Sequence, residues 1–441
     1  MAGGDTIYAL STAPGRAGIA VLRLSGPQAA AALRAMAGTV PPPRQVRLVL
    51  LRDPASGEAI DRGLALHFPA PASVTGEDVA ELQVHGSRAV VSALLECLGR
   101  LPGLRLADPG EFTRRAFFNG KLDLSEAEGL ADLVAAETAA QRRQAVRQLE
   151  GALGRLAESW RARLMDAQAR LEAAIDFPDE DLPAGLWDRA RGEAAALACE
   201  IGAHLADDRR GERLREGLAV AIVGPPNAGK SSLMNALAQR EVAITAATAG
   251  TTRDVIEVAL DLVGYPVLLC DTAGLRPAAD PVEEEGVRRA RARAGSADLK
   301  LVLYDATAPE DCDYLGELLE RNAILVANKT DLLPPGAPPP RGFPLSVKTG
   351  TGIDALLARL GAEVAARLAP GDAPLVTRAR HRAALEECRA ALLRVGDADT
   401  RTPELAAEDL RAAARALGRI TGRVDVEDML DRLFAEFCVG K

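Results

Sequence analysis

Apolar and polar positions alternate differently in successive parts of this chain. Short apolar runs separated by turn residues occupy the first 118 residues, for example at 19–22, 46–51 and 79–84, and a helix-like stretch lies at 89–98. Runs of this length between turns are typical of β-strands. The pattern therefore predicts an α+β domain over residues 1–118.

Beyond residue 118 the apolar spacing becomes helical. Steps of three and four join Leu153, Leu156, Trp160, Leu164, Ala167, Leu171 and Ile175, and the same spacing recurs near the end of the chain at Leu385, Cys388, Leu392 and Val395. Such a stripe predicts a helix with one buried face. We expect one helical domain built from two separate stretches, residues 119–215 and residues 372–441.

Between these helical stretches, strand-like runs alternate with helical segments. The runs lie at 255–262, 267–270, 299–304 and 324–327. This alternation indicates an open α/β sheet over residues 216–371. Since a domain can be inserted where its two ends lie close together, we predict a multidomain protein in which the α/β domain is inserted into the helical one.

Composition narrows the class of protein. The 441 residues exceed one hydrophobic core, and no apolar run approaches the roughly 20 residues that cross a bilayer. The start of the chain does not resemble an export signal, so we expect a cytoplasmic protein with no membrane partner. Its six cysteines form no CxxC pair, which argues against a zinc site or a disulfide framework.

The distribution of charge leaves open whether the chain binds a nucleic acid. A net charge of −9 argues against nucleic-acid binding by the surface as a whole. Residues 139–170 nevertheless contain seven arginines and three acids. This local excess is typical of a solvated helix face, and contact with tRNA is the alternative.

The stretch GPPNAGKSS at 224–232 lies between an apolar run and a helical segment, where a phosphate-binding loop belongs. Its glycines allow the backbone to fold so that N–H groups point at a phosphate. We expect Lys230 to reach the outer phosphates and the Ser231 hydroxyl to bind Mg²⁺. The predicted nucleotide contacts of this loop are Asn227, Ala228, Gly229, Lys230, Ser231 and Ser232.

Two further motifs follow predicted strands in the order that GTPases use. The first consists of Asp271, Thr272, Ala273 and Gly274, where the carboxylate can hold Mg²⁺ through water. The second contains Asn328, Lys329 and Asp331, and its carboxylate can accept the two N–H groups of a guanine edge. Ser346, Val347 and Lys348 supply the predicted last contacts to the base. Together these motifs predict GTP as the nucleotide.

A switch segment is predicted between the first two motifs, at Ala246, Ala247, Thr248, Ala249, Gly250, Thr251 and Thr252. Thr252 is placed to complete the Mg²⁺ shell only when the terminal phosphate is present. Leu275 occupies the position where Ras-like proteins have a glutamine that orients the attacking water. No arginine finger is evident in the sequence either, so hydrolysis requires another cation and another group that positions the water.

The chain resembles the MnmE (TrmE) family of tRNA modification GTPases in five motifs. These are the phosphate loop with its asparagine, AGTTRD, DTAGL, NKTD and the terminal FCVGK. The resemblance extends from DTIYALSTAPGRAGIAVLRLSG through TGEDVAELQVHG and GEFTRRAFFNGKLDLSEAEGLADL to the last residue. It implies a folate-binding fold for the N-terminal domain.

For the nucleotide site, the resemblance implies a potassium ion in place of an arginine. The expected potassium ligands are Asn227, Ala246, Thr248 and Thr251. Glu283 corresponds to an acid that positions the water indirectly. The GTPase domains are expected to pair across a homodimer and so enclose the ion.

For the N-terminal domain, the resemblance implies contacts from Arg23, Glu81, Lys121 and Lys441 to 5-formyl-tetrahydrofolate or methylene-tetrahydrofolate. A carboxylate can pair with the pterin edge, and cations can hold the folate carboxylates. The one-carbon unit would go to carbon 5 of the wobble uridine of certain tRNAs, as an aminomethyl or carboxymethylaminomethyl group. The FAD-dependent protein MnmG is the implied partner, in a heterotetramer.

Two alternatives remain at this point. A lone cysteine such as Cys438 is usually a packing residue, whereas the resemblance implies a catalytic role; Gly440 and Lys441 do not fit a prenylation signal. The alternative function is a regulatory GTP switch for ribosome assembly or signalling, without modification chemistry. The first 121 residues and the CVGK end distinguish the two functions, since a switch has no use for a folate pocket.

Overall fold

The computed structural model describes residues 4–176, 185–240, 242–244, 257–271, 297–308, 322–369, 376–397, 403–424, 430, 433–435, 437 and 440. The chain forms two compact units. The first comprises Met1–Ala131, Gln148–Ala162 and Ala414–Lys441, and the second comprises Asp132–Arg147 and Arg163–Ala413.

A six-stranded sheet forms the centre of the first unit. Its strands are β1 (Thr6–Leu10), β2 (Ala17–Ser25), β3 (Arg47–Arg52), β4 (Ala59–Phe68), β5 (Val79–Gly86) and β6 (Leu104–Leu106), in the order β3-β4-β5-β2-β1-β6. All neighbours are antiparallel except β1 and β6. The predicted strands at 19–22 and 79–84 are confirmed within β2 and β5, and the one at 46–51 overlaps β3 from Arg47 onwards.

Helices cover this sheet because its strands alternate apolar and polar positions. The helices are α1 (Ala29–Ala37), α2 (Arg88–Arg100) and α3 (Glu111–Phe118). Leu22 and Leu82 lie in one core with Leu33 of α1 and Leu94 of α2, all of them fully or almost fully buried. Residues such as Arg23 therefore point to the opposite face.

The remaining helices confirm the predicted helical stretches. They are α4 (Leu124–Ala135), α5 (Ala139–Leu149), α6 (Ala152–Asp176), α7 (Leu186–Leu205) and α8 (Arg210–Glu216), followed after the second sheet by α11 (Ala379–Asp397) and α12 (Pro403–Thr421). Along α6, Trp160, Leu164 and Leu171 are buried, as the stripe predicts. In the first unit, Leu124 of α4 packs with Leu430, Leu433, Phe434 and Phe437.

The second sheet lies within the second unit and has the predicted α/β form. Its elements are β7 (Leu218–Val223), α9 (Lys230–Ala238), β8 (Glu257–Leu262), β9 (Tyr265–Asp271), β10 (Leu299–Asp305), β11 (Ala323–Asn328), β12 (Phe343–Pro344) and α10 (Ile353–Leu368). The strand order is β12-β11-β10-β7-β9-β8, and only β8 runs antiparallel to its neighbour. The carboxyl ends of β7, β9, β10 and β11 share one edge, where ligands of such sheets bind.

The multidomain fold class is thus confirmed, with an α+β sheet, helices, and an α/β sheet between helical stretches. The short strand β12 was not predicted, because it has only two residues and one of them is a proline. No helix among the described residues is both long enough and apolar enough to cross a membrane.

Candidate functional site

The phosphate loop connects β7 to α9, and its backbone conformation requires both of its glycines. Gly224 has a φ of 152°, and a Cβ there would lie 2.0 Å from the carbonyl oxygen of Leu303. Gly229 has a φ of 97°, and a Cβ there would lie 2.3 Å from Nδ2 of Asn328. Both residues need a positive φ and close backbone approach, so the loop depends on glycine at each position.

Lys230 stands at the first turn of α9, and its ammonium points back into the loop. Nζ donates to the carbonyl oxygens of Gly224 and Pro225, at 2.9 Å each. Ser231 and Ser232 are exposed at the same helix end, Ala228 is buried, and Asn227 is exposed with a φ of 62°. A helix N-terminus with exposed hydroxyls favours an anion and the metal ion that accompanies it.

Asn328 joins three predicted segments at the end of β11. Its side chain is 3% exposed, Nδ2 donates to the Ala228 carbonyl at 2.8 Å, and Oδ1 accepts the Val347 N–H at 3.1 Å. The structure therefore brings together the phosphate loop, the NKTD motif and the segment at 346–348, as the nucleotide prediction requires.

Asp331 and Lys329 are already paired with neighbouring side chains. The Ser346 hydroxyl donates to Oδ1 of Asp331 at 2.6 Å, and Lys329 Nζ lies 2.7 Å from Oδ2 of Asp305. Lys348 is exposed beside them. A guanine that binds Asp331 can therefore approach a carboxylate that one hydroxyl already orients.

Asp305 was missed by the sequence reasoning. It ends β10, one strand away from the NKTD motif. Burial opposes its ionisation, but hydrogen bonds from Lys329 and Thr307 outweigh that effect, and the pKa of Asp305 lies below its ordinary value. An aspartate at the end of an apolar strand beside a predicted phosphate site is the signal that could have found it.

Part of the predicted nucleotide site lies outside the described residues. This holds for Ala246, Ala247, Thr248, Ala249, Gly250, Thr251, Thr252, Thr272, Ala273, Gly274 and Glu283, and for the side chain of Asp271. In the N-terminal prediction it holds for Lys441, and also for Cys438.

The predicted folate residues Arg23, Glu81 and Lys121 line one cavity in the first unit. Arg23 on β2 faces Glu81 on β5 across the sheet, and its Nε and Nη2 both lie 2.9 Å from Oε1 of Glu81. The cavity has a volume of about 440 Å³. Its lining consists of Arg23, Arg44, Phe68, Ala72, Ser73, Val74, Val79, Glu81 and Lys121.

An ion-pair network supports the loop that supplies Ser73 and Val74. Arg115 on α3 lies 3.1 Å from Glu77 and 3.0 Å from Glu111, and the Ser25 hydroxyl donates to Glu77 at 2.7 Å. Asn119 Nδ2 donates to the carbonyl of Thr75 at 2.7 Å. These contacts fix the loop against α3, so the cavity has a defined wall. The sequence reasoning named neither the network nor Arg44 and Phe68.

A glycine loop between a parallel strand and a helix, joined through Asn328 to an NKTD motif on a nearby strand, defines a P-loop GTPase domain. Two family models also match the chain: the MnmE helical domain over residues 124–438, and the N-terminus of the GTP-binding protein TrmE over residues 6–121. The chain belongs to the MnmE (TrmE) family, which confirms the resemblance drawn from its motifs.

Curated relatives match along nearly the whole chain. The "tRNA modification GTPase MnmE" of Parvibaculum lavamentivorans is 60% identical, covering 99% of this chain and 100% of that protein. The protein of the same description from Rhodospirillum rubrum is 55% identical and covers 99% of both chains. Among solved structures, the G domain of the T. maritima FeoB iron transporter is 29% identical, with a TM-score of 0.25, and covers 34% of this chain and 98% of that chain.

Proposed function

We propose that this chain is a potassium-activated GTP hydrolase that takes part in tRNA wobble-uridine modification. Its relatives are described as tRNA modification GTPases. The observation that carries the proposal is the pair of hydrogen bonds made by the buried side chain of Asn328. These bonds connect the NKTD motif to the phosphate loop and to residue 347. The Asn328 hydrogen bonds thus hold the phosphate-binding and base-binding segments close enough to contact one nucleotide.

The residues present fit GTP with Mg²⁺. Backbone N–H groups of the loop and the N-terminus of α9 suit the phosphates, and Asp331 suits the guanine edge. Ser231, exposed at the helix start, would bind Mg²⁺ together with Thr252, since this ion prefers oxygen ligands. Asp271, Thr272, Ala273 and Gly274 complete the proposed phosphate contacts.

Potassium is proposed because Leu275 leaves the hydrolysis machinery incomplete. Asn227 is exposed in the loop, in a left-handed conformation that asparagine tolerates, so its side-chain oxygen is available to a cation. Ala246, Thr248 and Thr251 would supply further oxygens, and Glu283 would position the water. The bound ion would offset the negative charge that develops on the phosphates.

A reduced folate fits the N-terminal cavity in size and charge. A volume of 440 Å³ lies in the usual range for ligand pockets. Oε1 of Glu81 accepts from Arg23, while no described residue donates to Oε2, which is thus available to the donors of a pterin edge. The folate supplies the one-carbon unit. Arg23 orients Glu81, and Lys121 and Lys441 bind carboxylates.

The domain boundaries are proposed from the sequence pattern, and the partners from the resemblance to the family. We propose domains at 1–118, 119–215, 216–371 and 372–441, a homodimer, and a heterotetramer with the FAD-dependent protein MnmG. The product would be an aminomethyl or carboxymethylaminomethyl group on carbon 5 of the wobble uridine, with Cys438 taking part in the modification.

A regulatory GTP switch is the second candidate function. The charged cavity around Glu81 favours the enzyme, because a switch needs no second small-molecule site. Nucleoside analysis of tRNA from a strain lacking this chain should show unmodified wobble uridines, restored by the wild-type gene. Unchanged uridines would favour the switch.

A second experiment tests the ion. GTP hydrolysis by the purified chain should slow by a factor of about 100 to 1000 when potassium is replaced by sodium at equal ionic strength. Equal rates in the two salts would reject the role of Asn227, whatever the outcome for tRNA.

A further inference from the structure

The two strands β8 and β9 form a tightly closed hairpin. They pair antiparallel along the whole of β8, and the turn that joins them consists of Val263 and Gly264 alone. Both turn residues have a positive φ, 57° and 84°, as a two-residue hairpin turn of this kind requires. The Gly264 N–H also donates to the Asp261 carboxylate at 2.7 Å. We therefore expect the hairpin to move as one body.

The open end of this hairpin leads to both predicted switch motifs. β8 begins shortly after Thr252, the predicted Mg²⁺ ligand, and β9 ends at Asp271, the first residue of the DTAG motif. The carboxyl end of β9 lies at the edge of the sheet where nucleotides bind. A change of nucleotide that alters either motif would thus act directly on one strand of the hairpin.

The closed end of the hairpin holds the start of helix α5. The Ala140 N–H donates to the Gly264 carbonyl at 2.9 Å. Ala140 is 4% exposed and lies in the same apolar core as Leu262 of β8. The first N–H groups of a helix have no partner within the helix, so the Gly264 carbonyl satisfies a donor that α5 cannot satisfy itself. Helix α5, from the first helical stretch, thus begins in the core of the α/β sheet.

The first turn of α5 is also bonded to the place where the chain enters this sheet. Gln141 Nε2 donates to the carbonyl of Arg215, in the last turn of α8 just before β7, at 3.0 Å. Arg215 Nε lies 3.0 Å from Oδ1 of Asp132 on α4, and Arg378 Nη2 lies 2.7 Å from the same oxygen. Because Arg378 immediately precedes α11, one carboxylate holds both the entrance to the sheet and the return from it.

A cavity of about 190 Å³ lies beside these contacts. Its lining comes from α4, α5 and α8 and includes Asp132, Gln144, Ala145 and Leu214. Protein interiors are otherwise close-packed, so a helix in a filled interface cannot shift without displacing its neighbours. The cavity leaves α5 room to move against α4 and α8 at little steric cost.

We propose that the hairpin β8–β9 couples the nucleotide site to α5 through the hydrogen bond from Ala140 to Gly264. This inference rests on the proposed function, since it names how the bound guanine nucleotide regulates the helical part of the chain. The terminal phosphate of GTP binds the predicted switch motifs and GDP cannot, so the two nucleotides hold the hairpin differently. The turn of the hairpin then shifts the first turn of α5.

Hydrogen exchange on the purified full-length chain tests this coupling, because it measures the protection of the Ala140 N–H and of the other α5 amides. The chain is compared with GDP and with guanosine 5′-(β,γ-imido)triphosphate, which is not hydrolysed, both in Mg²⁺ and potassium. We expect exchange at the start of α5 to differ about tenfold between the two nucleotides. Equal exchange in the wild type would overturn the inference.

A pair of proline variants tests the hydrogen bond itself. Ala140→Pro removes the donor to Gly264, in the first helical turn where proline is tolerated. The matched control, Ala139→Pro, places proline at the first helical position, where it is favoured, and keeps the Ala140 N–H. Thermal melting verifies that each variant folds, and exchange is followed over residues 142–149. If Ala140→Pro does not fold, exchange of the Ala140 amide in the wild type decides by itself.

In Ala140→Pro, the difference in α5 exchange between the two nucleotides should disappear. Because coupling is reciprocal, the ratio of their affinities should also change about three- to tenfold, as expected for one hydrogen bond. Ala139→Pro should keep both the difference and the ratio. A difference that persists in Ala140→Pro, or that both variants lose alike, would show that the Gly264 contact does not carry the coupling. A wild-type chain that binds neither nucleotide would instead refute the proposed GTPase.

Discussion

The nucleotide site and the N-terminal cavity satisfy their polar groups in opposite ways. In the nucleotide site, Lys230 donates to carbonyls of its own loop, Lys329 pairs with Asp305, and Asp331 accepts from Ser346. In the N-terminal cavity, Lys121 and one oxygen of Glu81 face the cavity without such a partner among the described residues. The first site must exchange internal bonds for ligand bonds, whereas a ligand of the second would meet these groups already free.

This difference matters for how each site can work. When the ligand leaves a site whose groups can pair with each other, few hydrogen-bonding groups are left without a partner. Such a site suits a nucleotide that is bound, hydrolysed and released. In the N-terminal cavity, Lys121 is exposed and Glu81 is half-buried, so both can bind a charged ligand without first giving up an internal bond. The following predictions test this comparison.

The largest effect is expected for Asp331→Asn, which should alter the base preference. An amide cannot accept both N–H groups of guanine, but it can donate to the extra carbonyl of xanthine. The ratio of GTP to XTP affinity should fall by a factor of about 10⁴ in competition binding. A variant that still rejects XTP would contradict the placement of the base at Asp331, and unchanged folate affinity serves as the control.

The second largest effect is expected for Lys230→Met. Methionine has no donor, so the loop loses the two hydrogen bonds that Nζ gives to its carbonyls and the phosphates lose a cation. We expect hydrolysis to slow by a factor of about 1000, measured as phosphate release under saturating GTP. Folate titration of the same variant should match the wild type; parallel loss at both sites would mean that the sites are not independent.

Glu111→Gln tests the network behind the cavity wall. Glu111 is 9% exposed and accepts from Arg105, Arg115 and the N–H of Asp108. Removing the charge leaves these arginines incompletely paired, so the free energy of unfolding should drop by about 3 kcal/mol in urea titration. Glu96→Gln, on the exposed face of α2, is the control and should change stability little.

The carboxylate of Glu111 should also make the stability of the chain depend on pH. Burial opposes the ionisation of Glu111, but hydrogen bonds from Arg105, Asp108 and Arg115 outweigh it, so its pKa is lowered from the ordinary 4.5. A lowered pKa contributes stability that is complete above pH 4.5 and is lost as the pH falls through the folded-state value. Wild type and Glu111→Gln should therefore converge in stability below pH 4.5; a constant difference down to pH 2 would refute this.

The smallest effect is expected for Asp305→Asn. The ion pair with Lys329 is partly exposed, with side chains 20% and 33% accessible, so its contribution is modest. GDP affinity should fall about three- to tenfold in a fluorescence titration, with the preference for guanine retained. A loss of base preference in this variant would assign Asp305 to the base itself and remove it from the support of Lys329.

How much could be predicted from the sequence differs between the two sites. The phosphate loop was predictable because its chemistry is local: two glycines, a lysine and a serine within nine residues define it. Asn328 was predictable from its motif, but its bonds to Ala228 and Val347 join residues 100 and 19 positions apart. Asp305 follows a predicted strand, but only the sheet order places it beside Lys329.

The sequence by itself determined the family, the helical stripes and the nucleotide motifs, because each depends on residues that are neighbours along the chain. Only the tertiary structure decided which charges share the N-terminal cavity. Antiparallel register sets Arg23 beside Glu81 across 58 positions, and a left-handed turn brings Arg44 onto Phe68. Pairing across a sheet depends on strand order and register, and these follow from the packing of the whole domain.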